Sequence, residues 1–143
     1  PQTLTEAEIE RCKAFFTSPA YDTLADQPEA LTTALADNAL FASWYEQNVK
    51  AHKQPGYSIV TVSLKETGVA PGDVTDQQLD YLAELAQRYS FGEVRVTHHQ
   101  NIVLADVRQD QLPELWQQLR KQCLASNNLD LLTYMICCLG GDL

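Results

Sequence analysis

The side chains of this chain best equipped for chemistry are Cys12, Cys123, Cys137, Cys138, His52, His98, His99 and Arg95. Cys137 and Cys138 are neighbours, so on a strand their sulfurs point to opposite sides and rarely meet at one metal. Zinc would want a C-x2–4-C spacing and further ligands. Cys12 and Cys123 fall on helical apolar stripes, where a buried structural cysteine is the better reading. Cys138 differs because Leu139-Gly140-Gly141-Asp142-Leu143 follows it. A cysteine entering a glycine-containing loop can offer its sulfur, and the loop its N–H groups, to an iron–sulfur cluster. His98 and His99 fit an exposed polar turn better than a metal or acid–base site, and His52 has no partner visible in sequence. Arg95 sits mid-strand on a face expected to be open. It needs an anionic or polar partner: a carboxylate such as Glu93 or Asp106, or another domain, or a carboxylate-rich cofactor. Glu84 and Arg88 are spaced as a surface ion pair. No dinucleotide fingerprint, phosphate loop, zinc-protease helix or nucleophile elbow occurs.

These residues hang on a recognisable order of elements. Thr5 and Glu8 form a capping box ahead of Ile9, Cys12, Phe15 and Phe16 at helical spacing, and Ser18-Pro19 ends that helix. A second short helix is expected over Pro28 to Ala36. A third, capped by Asp37 or Asn38, carries Leu40, Phe41, Trp44 and Tyr45, and frays at the turn-like His52 to Gly56. Trp44 and Trp116 read as core. The pattern then changes. Tyr57 to Leu64 is a β-branched strand and Glu66 to Asp73 a loop. Thr75 with Gln78 caps a helix bearing Leu79, Leu82, Ala86 and Tyr89, which Gly92 stops. Glu93 to Thr97 alternates, with Val94 and Val96 expected toward the helices and Arg95 and Thr97 away from them. His98 to Asn101 turns the chain into a return strand, Ile102 to Val107. Asp110 is placed to cap a helix with Leu112, Leu115, Trp116, Leu119 and Cys123. Ser126 to Asn128 is a loop, and Leu131 to Cys137 an apolar run of strand length. Strand, helix, strand, strand, helix, strand is the split arrangement of a ferredoxin-like α+β sandwich. The expected organisation is a helical lead-in over residues 1–54 and the sandwich over 55–143.

Composition narrows the partners. The formal net charge is −9, from 19 acidic and 10 basic residues, with no basic run. Nucleic acid is therefore excluded as a partner, because phosphate binding rests on clustered Lys and Arg. No apolar run approaches the roughly 20 residues that cross a bilayer, so no membrane partner is expected. The polar, acidic start is unlike a signal peptide. Uneven and adjacent cysteines point to a reducing, cytoplasmic compartment. Pro1 at one end and Asp142-Leu143 at the other suggest a piece of something longer.

The string Arg95-Val96-Thr97-His98-His99-Gln100-Asn101-Ile102 resembles the R-x-T-x-x-Q-N-apolar motif in the second ferredoxin-like half-domain of sirohaem-dependent nitrite and sulfite reductases. His52-Lys53-Gln54-Pro55-Gly56-Tyr57 is similar to the H-K-x-P-G-Y entry of bacterial members, and Pro71-Gly72-Asp73 lies in the matching loop. Asn128 to Cys138 resembles the stretch leading to the first cluster cysteine. There Cys138, Gly140 and Asp142 match C-P-G-x-D-x-C, while Leu139 replaces the proline and Tyr134 stands where a Thr-Asp pair is common. The resemblance spans roughly Phe41 to Leu143. It implies a parent oxidoreductase that reduces sulfite to sulfide or nitrite to ammonia with sirohaem and a [4Fe-4S] cluster. Cys138 is then a cluster ligand, and Arg95, Thr97, Gln100 and Asn101 face the cofactor or another domain. The remaining reductase domains and an electron-donor protein are the implied partners. One thiolate cannot hold a cluster, so the isolated chain is expected to bind no cofactor and to be inactive. The other reading is a stand-alone ferredoxin-like binding or regulatory module with no redox role.

Overall fold

The computed structural model describes residues 4–66, 68–132 and 135. Helix α1 (Glu6–Lys13) is set by its capping box, in which Thr5 and Glu8 satisfy each other's backbone N–H groups. It buries none of its residues, and Phe15 and Phe16 lie beyond its end, exposed. Helix α2 (Glu29–Asp37) and helix α3 (Ala39–Asn48) follow, with Asn38 Oδ1 capping Phe41 N–H at 3.0 Å. The expected fraying of α3 does not occur. It stops at Asn48, and Val49–Ala51 forms a short strand, β1, that the helical lead-in was not expected to contain.

Strand β2 (Tyr57–Val62), helix α4 (Asp76–Tyr89), strand β3 (Arg95–Val96) and strand β4 (Ile102–Arg108) come next. A 3-10 turn over Gln109–Gln111 leads into helix α5 (Leu112–Lys121). No side chain caps α5, because the expected cap, Asp110, pairs with Arg108 at 2.8 Å. The sheet order is β1-β2-β4-β3, every neighbour antiparallel. With two helices and a central β2–β4 pair, this is consistent with a ferredoxin-like α+β fold.

One sheet face carries the core. Val60 and Val62 of β2 meet Ile102, Leu104 and Val107 of β4 beneath Leu82, Leu85, Ala86 and Tyr89 of α4 and Leu112, Leu115, Trp116 and Leu119 of α5. Leu31, Phe41 and Trp44 extend it through α2 and α3, with the Phe41 and Trp116 rings edge-on at 5.5 Å. Burial of this kind supplies the main driving force, about 25 cal/mol per Å² of apolar surface. Helices α4 and α5 run antiparallel, tied by Gln78–Gln122, Tyr81–Gln118 and Arg88–Glu114 contacts. Arg88 therefore reaches across to α5 rather than pairing with Glu84. Leu79 and Leu40 turn outward.

Val96 corrects another expectation. It pairs with buried Ile102, so it shares the core-side face, yet it is 86% exposed. β3 is a two-residue edge strand, and the packed helices centre on β2 and β4. Cys12 and Cys123 are also exposed rather than buried. α5 ends at Lys121, and Cys123 stands in the turn beyond it with φ 57°. Of the last expected strand, Leu131, Leu132 and Met135 are described; none is in a strand and all three are exposed. Cys137 and Cys138 lie outside the described residues.

The opposite sheet face is strapped by residues 21–27. Asp22 N–H donates to the Tyr57 hydroxyl at 3.1 Å, Gln27 N–H to Gln109 Oε1 at 2.7 Å, and Gln109 Nε2 to Asp26 Oδ1 at 2.7 Å. The strap crosses directly over Gly56, where a Cβ would overlap Leu24 Cβ, and Gly56 has φ +78°. Gly68 has a similar φ, +89°, but open space around it. Gly56→Ala is therefore expected to cost about 3 kcal/mol, strain and overlap together. Gly68→Ala should cost about 1 kcal/mol, strain alone. Urea unfolding of both variants checks the difference.

Candidate functional site

β2 stops pairing at Val62, but the chain runs on through Ser63, Leu64 and Lys65, of which Ser63 and Lys65 are buried. Buried backbone polar groups need partners, and here loops supply them. Leu64 O accepts from Gly72 N–H at 2.8 Å, and Leu64 N–H points to Asn101 Oδ1 at 3.4 Å. Lys65 O accepts from Asn128 Nδ2 at 2.6 Å, and Lys65 Nζ donates to His99 O at 2.7 Å. Ser63 Oγ donates to Asn128 Oδ1 at 2.7 Å. Three loops thus converge on three consecutive residues: the one after β2, the β3–β4 turn, and the one after α5.

The β3–β4 turn is built by its own polar residues. Thr97 N–H donates to Asn101 O at 2.9 Å, Asn101 N–H to Thr97 Oγ1 at 3.2 Å, and Gln100 N–H to Thr97 O at 3.0 Å. Gln100 takes the left-handed conformation, φ 59°, that so tight a turn requires. Its side chain lies against Gly72, where a Cβ would sit 3.2 Å from Gln100 Cβ. Asn101 is buried, Thr97 half-buried, and Gln100, His98 and His99 exposed. The two histidine rings tilt against each other at 3.8 Å between centroids.

The structure thus gathers Thr97, Gln100 and Asn101 at one end of the sheet and sets Arg95 apart. Arg95 pairs with Val103 and stands on the strapped face, ion-paired with Glu93. It lines a groove of about 630 Å³ with Phe15, Phe16, Tyr21 and Glu93. Cys138 lies outside the described residues. Among the described residues no group of three or more His, Cys, Asp or Glu could hold a metal ion. They do not by themselves fit an iron–sulfur cluster, whose ligands would have to come from elsewhere. Sequence reasoning missed Lys65, Ser63 and Asn128. No local signal marked them: Asn128 stands in the polar run Ser126-Asn127-Asn128, which reads as an ordinary loop.

It also missed a second polar cluster. Between Ser58 and Val60 a bulge sets two β4 residues, Ala105 and Asp106, against Ile59 alone, which re-aims Asp106. Asp106 is buried. Its Oδ1 accepts from the Tyr21 hydroxyl at 2.6 Å and faces His52 Nε2 at 3.3 Å, while Oδ2 has no partner among the described residues. His52 Nδ1 accepts from Gln54 N–H at 2.9 Å, which leaves Nε2 turned toward Asp106. His52, without a visible partner in sequence, has two in the fold.

The residues 50–122, just over half of the chain, match the family model of the nitrite/sulfite reductase ferredoxin-like half domain. The chain belongs to this family. No curated protein and no solved structure matches it. The match takes in β2, α4, β3, β4 and α5, together with Thr97, Gln100 and Asn101 of the half domain's turn. It also includes His52 and Asp106. Nitrite and sulfite reductases are enzymes, and a half domain implies further domains of a parent reductase. No described helix of the half domain is long and apolar enough to cross a membrane.

The Tyr21–Asp106 hydrogen bond pushes the Tyr21 hydroxyl up to about 12 from its usual 10, with burial and the Asp106 charge adding to it. A phenol whose folded value is raised stabilises the fold fully below pH 10 and loses that contribution as pH rises through 12. Burial pushes Tyr89 up to about 12 as well, so both contribute. Wild-type stability is expected to fall between pH 10 and 12, and Tyr21→Phe to fall less steeply. Urea midpoints measured across that range for both proteins check this.

Proposed function

We propose that the half domain is part of a sirohaem/[4Fe-4S] oxidoreductase that reduces sulfite to sulfide or nitrite to ammonia in the cytoplasm. The observation that carries this reading is the convergence of the Thr97–Asn101 turn and the Asn128 loop on Ser63–Lys65. Family membership supplies the reaction class, and the convergence supplies a rigid end of the sheet for a cofactor or a second domain to meet. In this reading Cys138 is the first cluster ligand, and the other three thiolates belong to the parent. When bound, sirohaem and cluster would supply the electrons, while the protein supplies orientation and charge.

The chain's own residues act by placement. Thr97 and Asn101 hold the turn, Gln100 is presented on its surface, and Arg95 with Glu93 faces a neighbouring domain. The half domain alone is inactive, and its partners are the remaining reductase domains and an electron-donor protein.

The longer reading frame decides the point. A cysteine directly after Leu143 and a later C-x3-C pair are expected, and the expressed parent should show sirohaem and cluster absorption bands. A parent without those cysteines would overturn the reductase reading in favour of a stand-alone binding module. Cofactor bands from the 143-residue chain alone would overturn its inactivity.

A further inference from the structure

The two edges of the sheet are guarded differently. The β1 edge carries exposed Lys50 at its centre, so two such edges brought together about that residue would set lysine against lysine. The β3 edge has neither lysine nor proline over residues 91–97. Residues 91–96 are all exposed, with Phe91, Val94 and Val96 among them. The sheet order ends in β3, so no described strand pairs with its outer side.

Register fixes what that side offers. Thr97 N–H donates to Asn101 O, and the ladder alternates from there through Val96↔Ile102 to Arg95↔Val103. Arg95 therefore turns its N–H and C=O inward to β4. Val96 turns its own outward, and the same alternation turns those of Val94 outward. On the strapped face this stretch carries Glu93 and Arg95, opposite charges spaced i, i+2. Arg95 reaches Glu93 through Nε, and a guanidinium has further N–H donors for a second carboxylate. Exposed Phe15 and Phe16 line the groove beside this pair, adding apolar surface for a partner to cover.

The charge spacing is self-complementary. With a second β3 edge laid antiparallel about a two-fold axis at Val94, the two Val94 residues exchange backbone hydrogen bonds. Each Glu93 then stands opposite the second copy's Arg95, in the non-hydrogen-bonded position where side chains come closest. An axis at Arg95 would oppose two guanidinium groups. An axis at Val96 would set Arg95 against Thr97, with no opposite charge. The charges thus select one register.

We propose that the β3 edge pairs antiparallel about Val94 with the β3 edge of a second copy of this chain, through reciprocal Glu93–Arg95 contacts. The neighbouring domain that this charge pair meets is then a second half domain. This goes beyond the oxidoreductase reading and does not depend on it. The contact is short, so the dimer is weak and concentration-dependent.

Sedimentation equilibrium of the 143-residue chain, over a concentration series reaching about 1 mM, should show monomer passing to dimer. Glu93→Arg and Arg95→Glu, each alone, should weaken self-association about ten-fold, because like charges then face each other. Mixing the two variants should restore it, since each chain then meets the opposite charge at both positions. Both positions are exposed, so urea midpoints should stay near wild type and show that folding is intact. A wild-type chain that stays monomeric, single variants that associate as wild type does, or a mixture that stays monomeric overturns the proposal. A longer parent that is monomeric while the 143-residue chain dimerises gives this edge to one of the parent's own domains, and overturns it too.

Discussion

A strand that outruns its partners must find other company for its backbone. β2 does so after Val62. Ser63 and Lys65 are buried, and no described strand pairs with them. Leaving such groups unpaired would cost about 1–3 kcal/mol each. The fold pairs Leu64 with Gly72 and Asn101 and the Lys65 carbonyl with Asn128, one partner from each of three loops. That constraint organises the whole end of the sheet. It fixes where the β3–β4 turn sits, how closely Gln100 packs on Gly72, and where the loop after α5 crosses.

The opposite end shows the same logic with different chemistry. There the sheet's second face is closed by the 21–27 strap rather than by a helix. The strap needs Gly56 bare, Gln109 as a two-way anchor, and Asp106 re-aimed by a bulge to receive Tyr21. Arg95 lies at the strap's margin, where Glu93 neutralises it. The half domain therefore offers two distinct surfaces. One is an end gathered by hydrogen bonds, and the other a groove bordered by exposed Phe15 and Phe16 and a charge pair.

Strong periodicity made much of this legible. α4 with its Thr75 cap, the apolar stripe of α5, β2 and the β3–β4 hairpin all follow from local pattern, because each element's burial is written in its own spacing. β1 was hidden because Val49–Ala51 follows α3 with no breaking residue between them. Val96 and Cys123 were misjudged for a related reason: period identifies a face, but not whether anything reaches far enough to cover it. In the site, Thr97, Gln100 and Asn101 were visible through their motif. Ser63, Lys65 and Asn128 were not, since their partners lie 34 to 65 residues away in the chain. The Tyr21–Asp106 bond spans 85 residues and leaves no local trace.

If the β2 extension is what binds the loops together, residues from different loops should be energetically coupled through it. A double-mutant cycle of Asn101→Ala and Asn128→Ala, read by urea unfolding, measures this directly. The two touch neighbouring residues of the extension and not the core of either helix. The account predicts a coupling of at least about 0.5 kcal/mol, as expected for sites in one hydrogen-bond network. Losses that add within about 0.3 kcal/mol would mean that the loops are held independently, and would contradict it.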